Sequence, residues 1–286
     1  MSNEPERFPT SDVISIEIRD RVAILWLDRP DQRNAFAPDF WVEFPVMVEA
    51  LGADPDVRVV VVAARGPAFT VGLDLRSFGT AMATGVLDPS ADPPPSPVAQ
   101  RARTYRLIKD MQHTFTALTE CPQPVIAAIH GYCIGAGVDL ITACDIRYAA
   151  VDTVFSVRET RLAMVADVGT LQRLPRIIDP GRVAELAYTG RDFDVSEAAA
   201  MGLVTNVLPD PDATLTAAIA TAEAIAVNSP LAVQGTKAVL RAGEVRSVGE
   251  ALDHVALWNA AFLHSNDLGE AMTAFVEKRA PEFDGT

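Results

Sequence analysis

The sequence predicts an α/β fold with a helical C-terminal extension, and three observations predict it. Short β-branched runs alternate with stretches of helical periodicity from about residue 13 to residue 209. One of those runs, VRVVVVAA from Val57 to Ala64, is apolar without alternation, as a strand covered on both faces must be. From Asp210 onward the pattern is helical and rich in alanine.

The elements follow in order. Val13–Ile18 and Val22–Asp28 read as two strands joined by a turn at Asp20 and Arg21. DRPDQRNAF is a loop, and a helix runs from Pro38 to Leu51, with Pro38 in the first turn, where its missing N–H is not needed. After the strand Val57–Ala64 comes a turn-rich loop, RGPAFTVGLD. Residues 79–97 turn irregular and end in ADPPPSP, which neither a helix interior nor a central strand accepts. Two readings stand for this stretch: a lid or binding loop, and a disordered insertion. An amphipathic helix near Arg101–Glu120 leads to a strand at Pro124–Ile129, the glycine-rich turn HGYCIGAG and a helix from about Ala136. A strand at Ile146–Ala150 precedes helical patterns at Val168–Ile177 and Gly181–Tyr188. SEAAAMG reads as a helix capped by Ser196 and stopped by Gly202, and LVTNVLP as a strand. The expected division is a core over 11–209 that carries the site and a helical region over 210–286.

Composition narrows the classes of function. With 286 residues and 49% hydrophobic content, the chain can bury a sizeable core. A net charge of −14 opposes phosphate backbones, so nucleic acid is not an expected partner. Cys121, Cys133 and Cys144 lie in apolar runs and read as buried thiols of a reducing compartment. The four histidines form no metal motif, and no metal site is expected. No apolar run is long enough to span a bilayer, and no membrane association is expected. The polar, acidic start MSNEPERFPTSD resembles no leader, and EFDGT is not a peroxisomal address, so the expected location is the cytoplasm.

Two glycine turns and three acids carry the chemistry. In HGYCIGAGVDL a strand ends, glycines follow and a helix begins. The first N–H groups of a helix lack intrahelical partners, so such a turn suits an oxyanion, although close packing explains the glycines equally well. RGPAFTVGLDL is a second turn of this kind, and the two together would present two donors to one carbonyl oxygen. Asp139, Glu159 and Asp167 lie nearby in apolar, glycine-punctuated surroundings, where a carboxylate costs free energy unless it is satisfied. Each acid also has a structural reading. Asp139 could accept bonds in its own first helical turn, Glu159 could pair with Arg158 or Arg161, and Asp167 could cap the helix that starts VGTLQRL.

These motifs carry a resemblance. PVIAAIHGYCIGAGVDLITACDIRYA, DRPDQRNAF, AFTVGLDL, GTLQRLPRIIDPGRVAELAYTGR, SEAAAMGLVTNVLPD, SPLAVQGTKAVL and FVEKRAPEF resemble the crotonase, or enoyl-CoA hydratase/isomerase, family along nearly the whole chain. The resemblance implies a spiral of repeated ββα units with a helical C-terminal region that builds trimers or hexamers. It implies an acyl-CoA thioester substrate and no cofactor. It assigns the two oxyanion donors to the backbone N–H groups of Leu73 and Ala136. Val71 stands where the family usually has Ala, and Ala136 where Gly is frequent. Arg33, Ala35, Val71, Gly72 and Asp74 fall in loops that approach the acyl-CoA in relatives. Lys278 and Arg279 are phosphate contacts, from a neighbouring subunit, or else the charged end of a helix.

The acids point within the family. Hydratases carry Glu at both positions held here by Asp139 and Glu159, and a small residue where this chain has Asp167. The trio resembles the Δ3,5-Δ2,4-dienoyl-CoA isomerase branch. There it implies that Asp167 and Glu159 move protons at opposite ends of a diene while Asp139 orients or tunes the site. Asp145 matches a structural Asp. The alternatives are an enoyl-CoA hydratase or other crotonase reaction, and a non-catalytic acyl-CoA-binding protein of the same fold.

Overall fold

The computed structural model describes residues 7–84 and 96–286. Its first strands, β1 (Ile14–Arg19) and β2 (Val22–Leu27), pair antiparallel through a turn in which Asp20 takes a left-handed φ of 53°, a conformation that Asp tolerates better than most residues. Helix α1 (Pro38–Ala53) begins with Pro38 in its first turn and contains a second proline, Pro45. That ring removes the N–H that would bond the Trp41 carbonyl. The hydroxyl of Thr114 donates to this carbonyl instead, at 3.1 Å.

Strand β3 (Val59–Ala64) begins two residues later than the sequence suggests. It is followed by α2 (Leu75–Thr84) and the long α3 (Pro97–Glu120). Helix α2 is a correction to the expected irregularity: residues 79–84 are helical. The Asp74 carboxylate accepts the N–H groups of Arg76 and Ser77 and so starts this helix. Residues 85–95, most of the proposed lid or insertion, lie outside the described residues.

Strand β4 (Val125–Ile129), the short β5 (Tyr132–Ile134), α4 (Ala136–Thr142), β6 (Ile146–Ala150) and β7 (Val154–Ser156) build the centre. Then come α5 (Thr170–Arg173), α6 (Pro180–Thr189), β8 (Asp192–Asp194), α7 (Val195–Ala200) and β9 (Asn206–Leu208). The helix expected over 168–177 is broken at Pro175, which converts its second half into a 3-10 turn over Leu174–Arg176. Asp194, not Ser196, caps α7, because its carboxylate accepts the Glu197 N–H. Four helices close the chain: α8 (Pro211–Ala226), α9 (Pro230–Gly243), α10 (Val248–Phe262) and α11 (Asn266–Glu277).

The larger sheet has the order β1-β2-β3-β4-β6-β9, parallel from β2 onward. Its two faces explain the unalternated strands. Ala23, Leu25, Val60, Val62, Val125 and Ala127 point into the main core, against α1, α3 and α4. Their neighbours Val22, Ile24, Val59, Val61, Ile126 and Ala128 point outward and are covered by Ala218, Ile219, Ala222 and Ala226 of α8. Both faces are therefore dry, and each fully buried Val or Ile contributes about 1.5–3 kcal/mol of burial. The smaller sheet, β5-β7-β8, was not legible in the sequence, because its strands have only three residues each. It is nevertheless the sheet that assembles the site.

Candidate active site

The two glycine turns are joined backbone to backbone. The Thr70 N–H donates to the Tyr132 carbonyl at 2.8 Å, and the Ile134 N–H donates to the Thr70 carbonyl at 3.2 Å. Gly72 has a φ of +82°, and a Cβ there would stand 2.6 Å from the Ile134 carbonyl and 3.3 Å from the Ala136 nitrogen. Only glycine permits so close an approach. Gly137 is excluded from growth in the same way, since a Cβ would meet the Thr70 methyl at 2.5 Å. The backbone nitrogens of Leu73, which follows Gly72, and of Ala136, which stands between Gly135 and Gly137, have no acceptor among the described residues. Ala136 is the first residue of α4, where an N–H has no intrahelical acceptor.

The loop carrying Arg33 and Ala35 runs alongside. Phe36 N–H donates to the Gly72 carbonyl at 2.8 Å, Asp74 N–H to the Phe36 carbonyl at 3.1 Å, and Val71 N–H to the Arg33 carbonyl at 3.2 Å. Buried Asn34 staples the two loops by donating to the carbonyls of Arg65 and Ala68. Arg33, Ala35, Val71, Gly72, Leu73 and Asp74 thus form one contiguous wall. Within it the Asp74 carboxylate is committed to capping α2 and to Arg29, at 3.4 Å. Lys278 ends α11 on the exposed surface, and Arg279 is engaged by Glu270 and Glu277.

Asp139 lies in α4, every residue of which is buried. Its Oδ1 accepts the N–H of Thr170, the first residue of α5, while its Oδ2 is buried without a partner. The first-turn reading is therefore wrong in detail: Asp139 satisfies the start of a neighbouring helix. Burial, and then the charge of Glu159, push its pKa up to about 7 against the opposing hydrogen bonds from Thr170.

Glu159 arrives through the small sheet. β5 and β7 pair in parallel up to Ile134 and Ser156, and the Gly135 N–H continues the ladder to the Ser156 carbonyl at 2.8 Å. The chain then turns, and a Cβ on Gly135 would touch Glu159 Oε1 at 3.4 Å. The carboxylate therefore lies against the residue preceding Ala136. Its Oε2 is buried without a partner among the described residues. Arg158 pairs with Asp192, and Arg161 donates to the Thr189 carbonyl, so neither neutralises Glu159. Burial and then the charge of Asp167 raise its pKa.

Asp167 does not cap α5, whose N-cap is Gly169 with no side-chain bond. Its carboxylate has no hydrogen-bonding partner residue among the described residues. It is exposed on the single chain, yet enough protein surrounds it that desolvation raises its pKa. It lines a cavity of about 970 Å³ between α3, α5 and α9, which the other two acids do not reach. Asp145 is structural: Oδ2 accepts the Val125 N–H at 2.7 Å and pairs with buried Lys237 at 2.8 Å.

Glu159 thus adjoins the residue before one of the two free backbone donors, Asp139 lies in the helix that donor begins, and Asp167 acts on Glu159 through its charge. Comparison with known proteins identifies the family. The family model described as Enoyl-CoA hydratase/isomerase matches residues 97–286. The chain belongs to the enoyl-CoA hydratase/isomerase family. It is 44% identical to the peroxisomal Δ3,5-Δ2,4-dienoyl-CoA isomerase of Arabidopsis thaliana over 282 residues, which is 97% of this chain and 98% of that one. It is 43% identical to the mitochondrial enzyme of that name from Rattus norvegicus, covering 96% of this chain and 83% of the relative. Among solved structures, an enoyl-CoA hydratase from Bacillus anthracis superposes with a TM-score of 0.86 at 30% identity, over 96% of this chain and all of that one. The fold is accordingly the crotonase-type spiral with a helical C-terminal region. One expectation is overturned. The two isomerases named above are a peroxisomal and a mitochondrial protein, which conflicts with the cytoplasmic location read from the chain ends. Composition near a terminus is a poor guide, because addresses are read by receptors and not by the physics of the fold.

Proposed function

We propose that the protein is a Δ3,5-Δ2,4-dienoyl-CoA isomerase of fatty-acid β-oxidation. The observation that carries this reading is the third acid, Asp167, which among the described residues has no cap role or ion pair and whose charge acts on Glu159. In the proposed reaction the thioester oxygen is held by the N–H groups of Leu73 and Ala136. A carboxylate, Asp167, removes the proton at C2, and the electron pair delocalises through the diene onto that oxygen. Glu159, holding a proton because burial favours its neutral form, donates it at C6. One proton leaves the substrate and one enters, so the balance requires no redox cofactor or metal. Asp139 tunes Glu159 from behind, with one oxygen tied to Thr170.

The CoA portion would lie along the wall of Arg33, Ala35 and Val71–Asp74, with Lys278 of a neighbouring subunit near a phosphate. A homotrimer, or a hexamer of two, suits α10, which buries no residue in the single chain and exposes Val248, Leu252, Leu257 and Phe262.

The test is spectrophotometric. With a 3,5-dienoyl-CoA, absorbance should rise as the diene becomes conjugated to the thioester. Hydration of a 2-enoyl-CoA with no activity on the dienoyl substrate would replace this reading with a hydratase. Binding of both without turnover would leave a non-catalytic acyl-CoA-binding protein.

A further inference from the structure

Asp167 sits on the least supported backbone of the site. After Met164 N–H bonds to the Glu159 carbonyl, residues 165–168 make no backbone-to-backbone hydrogen bond among the described residues, and they belong to no helix or strand. A proton-transferring carboxylate on such a segment would wander, and misplacement by about 1 Å can cost a hundredfold in rate. Two side chains hold the segment instead. Gln112 of α3 donates from Nε2 to the Asp167 carbonyl at 2.7 Å. Arg173 folds back and donates from Nη1 to the Val168 carbonyl at 3.3 Å.

Both clamps are themselves fixed. Lys109 Nζ donates to Gln112 Oε1 at 2.8 Å, which orients the amide one turn along α3. The Thr116 hydroxyl donates to the Gln112 carbonyl at 2.8 Å and accepts Arg173 Nη2 at 3.1 Å. Gly169, with φ +135°, leaves room for the guanidinium: a Cβ there would stand 1.8 Å from Arg173 Nη1. Ordering a partly exposed glutamine at both ends costs side-chain rotamer entropy. Nothing in the packing of α3, which buries Thr114, Phe115, Ala117 and Leu118 against the core, requires that cost.

The geometry points to Gln112 as a positioning residue for the Asp167 carboxylate, acting through the Asp167 carbonyl, with Arg173 as the second clamp on the same segment. This rests on the isomerase reading for its catalytic consequence, though not for the clamp itself. Gln112 donates to the Asp167 carbonyl and not to the carboxylate, and it lines the same cavity as Asp167. Because it acts on the aim of the acid and transfers no proton itself, its removal should lower kcat and leave KM unchanged.

The experiment is a double-mutant cycle on the full-length protein with two readouts. Gln112→Met keeps the length of the side chain and deletes its donor. It should lower kcat on a 3,5-dienoyl-CoA ten- to hundredfold at unchanged KM and unchanged Tm. In an Asp167→Asn background it should cause no further loss, because there is no longer a carboxylate to aim. Hydrogen exchange should be faster in residues 164–173 and unaltered elsewhere. Wild-type kcat in Gln112→Met, or an equal loss in both backgrounds, would overturn the inference. If the unmutated protein itself fails to isomerise the substrate, the functional reading falls, and exchange alone decides the clamp: unchanged exchange over 164–173 refutes it. Arg173→Met is a second probe, with Gln112→Met remaining decisive if loss of the half-buried arginine prevents folding.

Discussion

Asp139 and Asp167 are the same residue type in opposite surroundings. Asp139 is in a fully buried helix, with one oxygen bonded to Thr170 and the other enclosed. Asp167 is on an irregular segment, with its carboxylate open and its backbone clamped. The first can set a potential but cannot reach a substrate without dismantling the start of α5. The second can meet a substrate but contributes little to the fold. Glu159 lies between them electrically: it raises the proton affinity of Asp139 and is raised in turn by Asp167. On the proposed reading, the division of labour among the acids follows from where the chain leaves each one.

Asp167→Asn gives the sharpest break. Isomerisation should fall by about a thousandfold or more, within the range that positioned acid–base groups supply. Retention of the wild-type rate would return Asp167 to a passive role. Ala136→Pro comes next. Proline suits the first position of a helix, but besides deleting the N–H it puts its ring Cδ where that hydrogen pointed, so kcat should fall by about a hundred- to a thousandfold, with circular dichroism checking that the fold survives. An unaltered rate would remove Ala136 from the oxyanion site.

Asp139→Asn should act mainly on stability. Its folded pKa, about 7, lies above the ordinary carboxylate value, so the folded state binds the proton more tightly than the unfolded one. Stability associated with this group is present at low pH and is lost as pH rises from about 4 to about 7. The amide variant should lose that dependence and gain a few kcal/mol relative to wild type at pH 8, measured by denaturant titration at several pH values. A variant that keeps the wild-type slope would show that Asp139 is ionised at little cost. The smallest effect belongs again to Asp167→Asn: its unfolding free energy should change by less than about 0.5 kcal/mol, because no hydrogen bond is lost. A larger change would mean that the open acid has a structural partner.

Much of this was legible from residues alone, and the failures have local causes. The large sheet was readable because VAILWL and VVVVAA are covered on both faces and so carry no polar interruption. The small sheet was not, because three-residue strands leave no periodicity to read. Helix α2 was hidden because its cap, Asp74, reads equally well as a loop acid. The Ser196 cap failed by two residues for a related reason: Asp194 and Ser196 are both good caps, and only the tertiary path chose between them. Gln112 carried no signal, since a glutamine on an amphipathic helix is ordinarily just solvated.

By itself, the sequence determined the α/β class, the two glycine turns and the identity of the three acids. These depend on local backbone demands: apolar runs that must be buried, and positions where a Cβ cannot fit. Only the tertiary structure decided which acid is enclosed and which is open. Parallel pairing of β5 with β7 carries Glu159 to Gly135. Asp139 satisfies a helix that begins 31 residues away, at Thr170. A side chain from α3 holds the backbone of Asp167. Proton affinity depends on solvation and on charges brought together across the fold, and no window of sequence contains them.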